Sequence, residues 1–308
     1  MISVIIQGRG DNMINVKRSI SCFIKQTHKD KELILVIDQL FTQESYDARI
    51  NEVFDGNLNI FKTHNIHIFS NLNAEFIHNN VCSMRNFGAQ QAKGEYILFM
   101  DDDEDIHADY LTKNLEYRTK YKKVLGKDFV LTPTLMYRHT GDIQNQGFSH
   151  FNYWLSRPIG CVLGQREWAE IQMYSGNSLF APAFIFQQNK MDERFDFIYE
   201  DLAYSYALHK AGYPILVTKN IKVYHMERDK TKLDHAWVGN IYQAHRKSKH
   251  RILFVRKFAT FWQKFQFFLL GFRGQPIRLT LKVLFNRPQN MFSIIKHIWK
   301  GTIDGLRG

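Results

Sequence analysis

The sequence predicts an α/β fold with a mostly parallel central sheet, helices on both faces and a basic helical appendage at its end. Three observations carry that prediction. Short continuous apolar runs, Ile2 to Ile6, Leu33 to Ile37 and Tyr96 to Met100, alternate with segments of helical spacing, and a run that is apolar throughout suits a strand covered on both faces. Strand, helix, strand is the βαβ unit, whose repetition gives a parallel sheet. From Arg246 to the end the chain carries fourteen Lys or Arg against one acid, Asp304, a surplus of +13 that leaves −2 on residues 1–245 out of a net charge of +11.

Taken in order, Ile2 to Ile6 is the first strand, and Gly8-Arg9-Gly10-Asp11-Asn12 supplies turn chemistry after it. Met13, Val16, Ile20, Phe23 and Ile24 recur at helical spacing up to Gln26, and the second strand, Leu33 to Ile37, ends at Asp38. Ile66 to Phe69 gives a third strand, Met84 to Ala92 a helix, and Tyr96 to Met100 a strand that runs straight into Asp101. Ligands of open α/β sheets sit beyond the carboxyl ends of strands, so Asp38 and Asp101 stand where a nucleotide is expected. Phe129 to Phe186 is aromatic and only weakly periodic, and reads as loops and short strands forming an acceptor-side wall. Within it Trp154, Trp168, Tyr174 and Asn177 are candidates for an acceptor platform, although Trp is at least as often core. Asp201 to Ala211 reads as a helix stopped by Gly212 and Pro214, and Ile221 to His225 as a strand. After His245 come basic aromatic helices with breaks at Gly271 to Pro276 and at Asn286 to Pro288.

A chain of 308 residues with 44% hydrophobic and 23% charged residues has the composition of a folded globular protein. Cys22, Cys82 and Cys161 are odd in number and widely spaced, which speaks for buried thiols in a reducing compartment and against a disulfide framework or a zinc site. The start, Met1 to Ile6, lacks the basic and long apolar regions of a secretory signal, so a cytoplasmic protein is expected.

Chemistry concentrates at Asp101-Asp102-Asp103-Glu104-Asp105. Carboxylates crowded at the end of a buried strand repel one another unless a cation offsets them, and Mg²⁺ or Mn²⁺ prefers such oxygen ligands and leaves room for substrate phosphates. A solvated acidic loop, or a cap for the helix beginning near His107, is the alternative. The stretch Met84-Arg85-Asn86-Phe87-Gly88-Ala89, continuing through Ala92-Lys93-Gly94-Glu95-Tyr96-Ile97 to Asp101-Asp102-Asp103, resembles the signature of family 2 glycosyltransferases. A second block, in which Glu200-Asp201 opens a helix closed by Ala211-Gly212-Tyr213, is similar to that family's second signature. The resemblance covers about the first three quarters of the chain.

It implies a GT-A fold and, with it, roles for named residues. Asp101 and Asp103 resemble the metal and diphosphate ligands, Asp103 the more direct one, with Asp102 beside them on the donor. Asp38 matches the acid that accepts from the nucleobase, Arg85 the Arg that faces the nucleotide, and His225 the late His that completes the metal site. Asp201 corresponds to the general base, assisted by Glu200. The implied reaction is inverting transfer of a sugar from a nucleotide sugar, UDP being the commonest nucleotide, to a hydroxyl of a glycan or lipid-linked acceptor in bacterial cell-envelope glycan synthesis, with Mn²⁺ or Mg²⁺. Gln7-Gly8-Arg9 departs from the family's usual loop after the first strand, and Ile37-Asp38 keeps one acid of a usual pair.

These readings divide the chain into a GT-A domain over 1–245, with a nucleotide-sugar half at 1–125 and an acceptor half at 126–245, and a tail over 246–308. The tail mixes aromatics with Lys and Arg, and its longest apolar stretch, Phe267 to Phe272, falls short of the ~20 residues of a spanning helix. An anionic membrane surface on the inner face of the cell membrane is the expected partner, with an oligomer contact as the other use and no nucleic acid. The rival class is an inactive scaffold or an RNA binder gripping phosphates through the tail.

Overall fold

The computed structural model describes residues 1–9, 13–38, 47–48, 50–51, 56, 59–71, 74–176, 178–226 and 241–307. β1 (Ile2–Arg9) lies between β2 (Lys31–Asp38) and β4 (Tyr96–Asp101), parallel to both, and β3 (Ile66–Ser70) extends the parallel set outside β2. The continuous apolar run of β1 is explained by cover on both faces. Val4 and Ile6 pack with Val16, Ile20 and Phe23 of α1 (Met13–Ile24), whereas Ile5 packs with Met84 and Ala89 of the helix on the other side. Short α2 (Asn59–His64) precedes β3, and α3 (Val81–Gln91) leads to β4. Asn80 caps α3 by accepting from the Ser83 N–H at 3.0 Å. Gly88 lets α3 approach the sheet, since a Cβ there would stand 2.6 Å from Ile5 Cγ2. The Gly10-Asp11-Asn12 part of the predicted turn lies outside the described residues.

After β4 come β5 (Glu104–Asp105), α4 (Tyr110–Leu125), β6 (Val130–Tyr137), β7 (Ile143–Asn145), the pair β8 (Phe148–Asn152) and β9 (Arg157–Gly160), β10 (Trp168–Ile171) and β11 (Phe180–Pro182). Then follow α5 (Ala183–Gln188), α6 (Glu200–Lys210) and β12 (Ile215–His225). The main sheet runs β10-β12-β6-β11-β4-β1-β2-β3, with β11 antiparallel to both its neighbours and β12 parallel to β6. The segment expected to hold loops and short strands thus supplies a buried central strand of eight residues, β6. Its apolar run is interrupted by Thr132, Pro133 and Thr134, and Pro133 is tolerated because the β6–β12 register shifts just there, between Thr218 and Lys222.

The basic tail begins inside an element of the main body. In α7 (Ile241–Phe258) the side chains of Ile252, Leu253, Phe254 and Val255 join one apolar core with Tyr199 and Tyr206, so a division after residue 245 falls within a helix whose second half is buried. α8 (Phe261–Gln266), a π-helical turn (Phe267–Gly271) and α9 (Phe272–Asn286) form one uninterrupted helical run, and α10 (Met291–Arg307) packs on α7. Gly271 to Pro276, expected as a break, is a π-turn followed by helix. Arg251, fully buried, donates to the carbonyls of Gly271 (3.0 Å) and Phe272 (3.3 Å). The second of these is the oxygen that the missing N–H of Pro276 would have served. No helix among the described residues is long and apolar enough to cross a membrane.

Candidate functional site

Two strand ends and one helix start converge on the acidic run. Asp101 closes β4 opposite Gln7 of β1, and the Gln7 side-chain amide donates to Asp101 Oδ1. Arg85, on the buried face of α3 and 1% exposed, donates from Nη2 to Asp101 Oδ1 at 3.2 Å and from Nε to Gln7 Oε1 at 3.2 Å. Asp101 is therefore turned inward onto a cation and an amide. Burial nevertheless raises its pKa, with Arg85 opposing and the charge of Asp103 adding to the rise. Asp102 follows in the turn; burial and its two acidic neighbours push its pKa up to about 7. Its backbone carbonyl accepts from Ser19 Oγ (2.8 Å) and Arg18 Nη2 (3.1 Å), tying the turn to α1.

β5 brings the far end of the chain to the same place. Glu104 and Asp105 pair with His225 and Tyr224 of β12, which sets His225 Nε2 3.2 Å from Asp103 Oδ2. Burial works against a charge on His225, but the hydrogen bond and charge of Asp103, with Glu104 and Asp101 behind it, outweigh burial and push its pKa up to about 9. Glu104, 2% exposed, is raised by burial and by the Asp101 charge, while accepting from the Asp101 N–H (3.1 Å) and from Ser178 Oγ (2.8 Å). Glu104 and Ser178 are the structural members of the site that sequence reasoning missed. The acidic run showed Glu104 without a partner, and nothing in the sequence pairs it with Ser178.

Glu200 and Asp201 open α6 after two non-glycine residues with left-handed backbone, Ile198 (φ 65°) and Tyr199 (φ 75°). Strain of this kind costs about 1–3 kcal/mol per residue and persists where the surroundings impose it. Asp201 accepts from its neighbour's amide, Leu202 N (2.7 Å), and from Gly176 N (2.7 Å). Burial raises its pKa against these donors and against Arg85. Glu200 is raised by burial and by Asp201, and its Oε2 is buried with no hydrogen-bond partner among the described residues. The two clusters form one site. Gly176 reaches Asp201 and Ser178 reaches Glu104, and the Arg85 charge acts on Asp101, Glu200 and Asp201 alike.

Other expected residues fall elsewhere. Asp38 ends β2 with both oxygens engaged, by His78 Nδ1 (2.7 Å) and by Asn79 N (2.6 Å), so it anchors the 78–80 turn. Tyr174 is fully buried and donates to the Pro133 carbonyl (2.9 Å), which makes it core and not platform. Trp168 packs on Tyr121 on the edge strand, Trp154 is partly exposed beside the π-turn, and Asn177 lies outside the described residues.

Among the described residues no three His, Cys, Asp or Glu side chains are grouped to hold a metal ion. The convergent pair is Asp103 and His225, a carboxylate oxygen and an imidazole nitrogen facing each other, with His225 Nδ1 buried and without a hydrogen-bond partner among the described residues. That donor set fits two ligand positions of Mn²⁺ or Mg²⁺, ions that take their remaining ligands from phosphates and water.

A mostly parallel sheet that delivers an Asp-x-Asp turn to a His at the end of a late strand, facing an acid-led helix, defines a GT-A-type α/β protein. The family model described as glycosyl transferase family 2 matches residues 15–129. Solved structures share the fold. The crystal structure of GalNAc-T7 with UDP, GalNAc and Mn²⁺ aligns with a TM-score of 0.62 at 15% identity, over 87% of this chain and 49% of that one. Staphylococcus aureus TarS aligns with a TM-score of 0.52 at 14% identity, over 99% of this chain and 54% of that one. TarS 1-349 in complex with UDP-GlcNAc gives 0.50 at 12%, over 100% and 92%. The chain thus spans about half the length of GalNAc-T7 and of the longer TarS chain. No curated protein matches the sequence.

Proposed function

We propose that the protein is a nucleotide-sugar-dependent glycosyltransferase, transferring a sugar with inversion from a UDP-sugar to a hydroxyl of a glycan or lipid-linked acceptor of the cell envelope. The observation that carries this reading is the union in one site of the Asp101 to Asp103 turn and the Glu200-Asp201 helix start. The complexes of GalNAc-T7 with UDP and Mn²⁺ and of TarS with UDP-GlcNAc support the choice of donor and metal.

Asp201 acts as general base. Its carboxylate is held by two backbone N–H groups while burial raises its affinity for a proton, so it is both fixed and basic enough to take the proton of the acceptor hydroxyl. As the acceptor oxygen bonds to the anomeric carbon, the bond from that carbon to the diphosphate oxygen breaks, and the electron pair leaves with the nucleoside diphosphate. Attack from the face opposite the leaving group gives inversion. Glu200, with one buried oxygen unpartnered, is placed to accept from a second acceptor hydroxyl. Arg85 keeps Asp101 ionised and oriented. Asp103 and His225 would hold Mn²⁺ or Mg²⁺, which when bound supplies positive charge to the departing diphosphate. Asp102 faces the donor, and Asp38 with His78 shapes the wall on which the base rests.

A screen of nucleotide release over several nucleotide sugars, with added Mn²⁺ or Mg²⁺, tests the proposal. Release is expected with a UDP-sugar. Asp201→Asn should lower the rate about 10²- to 10⁴-fold with donor affinity little changed, and Asp103→Ala should abolish thermal stabilisation by UDP plus Mn²⁺. An Asp201→Asn protein that transfers at the wild-type rate overturns the assignment.

A further inference from the structure

The outer side of the tail is apolar and cationic along its whole length. In α8 and the π-turn, Phe261, Trp262, Phe265 and Leu269 are exposed, Trp262 by 70%. In α9, Ile277, Leu281, Leu284 and Phe285 are exposed, Phe285 by 90%. At about 100° per residue the second set would lie roughly a third of a turn or more round from the first. A π-turn inserts one residue into the winding, which rotates the second set back onto the side of the first. The π-turn is held by the buried Arg251, so this alignment is fixed by the fold. It also abuts the Tyr153 and Trp154 carbonyls, 2.3 and 3.2 Å from a Cβ built on Gly271, which brings exposed Trp154 and Leu155 alongside. α10 repeats the pattern. Ile294, Ile298, Gly301 and Gly305 face α7 and are buried, while Phe292, Trp299, Ile303 and Leu306 form an opposite, exposed stripe.

Cations accompany both stripes. Arg273, Arg278 and Lys282 are exposed on α9, and Lys296, Lys300 and Arg307 on α10. The one acid after residue 245, Asp304, is engaged by His245 at 2.8 Å. We infer that the outer faces of α8, α9 and α10 dock on an anionic phospholipid bilayer, with the aromatics in the headgroup region and the cations among lipid phosphates. The charge selects this occupant. A second copy laid on the same face would set cation against cation, whereas an anionic surface supplies counter-charge to the exposed Arg273, Arg278, Lys282, Lys296, Lys300 and Arg307.

Flotation of the full chain with phosphatidylcholine vesicles, with and without phosphatidylglycerol, tests the inference. Binding is expected only to vesicles that contain phosphatidylglycerol. It should fall at least about tenfold in Arg278→Gln/Lys282→Gln, given that each basic residue near an anionic surface contributes appreciably, and similarly in Trp262→Ser/Phe285→Ser. All four side chains are exposed, and an unchanged circular dichroism melt establishes that the variants fold. No binding to anionic vesicles, equal binding to neutral ones, or undiminished binding by both variants overturns it. So do self-association that these variants abolish without any vesicle binding, which assigns the face to a second copy, and tighter binding to single-stranded RNA than to vesicles, which assigns it to nucleic acid.

Discussion

Arg85 is the residue on which most of the site's electrostatics turns. It is a fully buried guanidinium on α3 that contacts Gln7 and Asp101 and influences both acids of α6. Removing one partner of a buried charge pair leaves the other uncompensated and commonly costs about 3–5 kcal/mol. Arg85→Ala should therefore lower the melting temperature as well as the transfer rate. Arg85→Lys should restore much of the stability, because the charge returns, but less of the rate, because an ammonium cannot hold Gln7 and Asp101 through a planar fork. Thermal melts and nucleotide release on both variants check this; an Arg85→Ala protein as stable as the parent would show that Asp101 is neutral in the folded protein.

At the scale of elements, α7 supports the strained entry to α6. His250 lies 2.7 Å from the Ile198 carbonyl through Nδ1, and Arg246 donates to Asp196 Oδ2 at 3.0 Å. Burial raises the Asp196 pKa, but His250 and Arg246 outweigh it and bring it down to about 2. A carboxyl depressed in the folded state stabilises above its unfolded pKa of ~3.9 and loses that contribution as pH falls through about 2. Asp196→Asn should thus cost on the order of 1 kcal/mol at neutral pH after solvent screening, and the difference from wild type should shrink between about pH 4 and pH 2. Urea titrations at the two ends of that window measure it. α7 also meets α10 through glycines: a Cβ on Gly301 would stand 2.2 Å from the His245 carbonyl oxygen. Overpacking of this kind costs about 1–3 kcal/mol, so Gly301→Ala should destabilise the protein by that amount in the same titrations.

The elements also show which parts of the fold were legible in the sequence. β1, β2 and β4 announced themselves because a strand buried on both faces is apolar throughout, and the Asp101 turn because it follows one of them without a break. β6 did not, since Thr132, Pro133 and Thr134 interrupt its run while the register shift that accommodates Pro133 lies far along the chain on β12, between Thr218 and Lys222. The pairing of His225 with Asp103 is separated by 122 residues; the family resemblance named both, but the strand pairing that unites them was not written in either segment. Glu104 looked like one more member of an acidic run until Ser178 gave it a partner. The strand end and the family resemblance point to Asp38 and aromatic character points to Tyr174, but in the fold the Asp38 oxygens are taken by His78 Nδ1 and the Asn79 N–H and the Tyr174 hydroxyl by the Pro133 carbonyl.

For the whole molecule, the tail has a part that completes the core and a part that faces outward, and a cut after residue 245 removes both. Ile252, Leu253, Phe254 and Val255 complete the core beneath Tyr199 and Tyr206, each contributing about 1.5–3 kcal/mol by burial, whereas the outward residues of α8 and α9 touch little of that core. A chain ending after residue 245 should therefore fail to fold or melt well below the parent. Replacing exposed side chains of α8 and α9 while keeping the chain complete should leave both the melt and nucleotide release unchanged. The decisive comparison is the melting temperature and UDP-sugar turnover of three proteins, the full chain, the chain cut after residue 245, and the full chain carrying Trp262→Ser and Phe285→Ser. If the chain cut after residue 245 folds and turns over normally, the second half of α7 is dispensable and the core drawn through Phe254 is not what holds Glu200 and Asp201 in place.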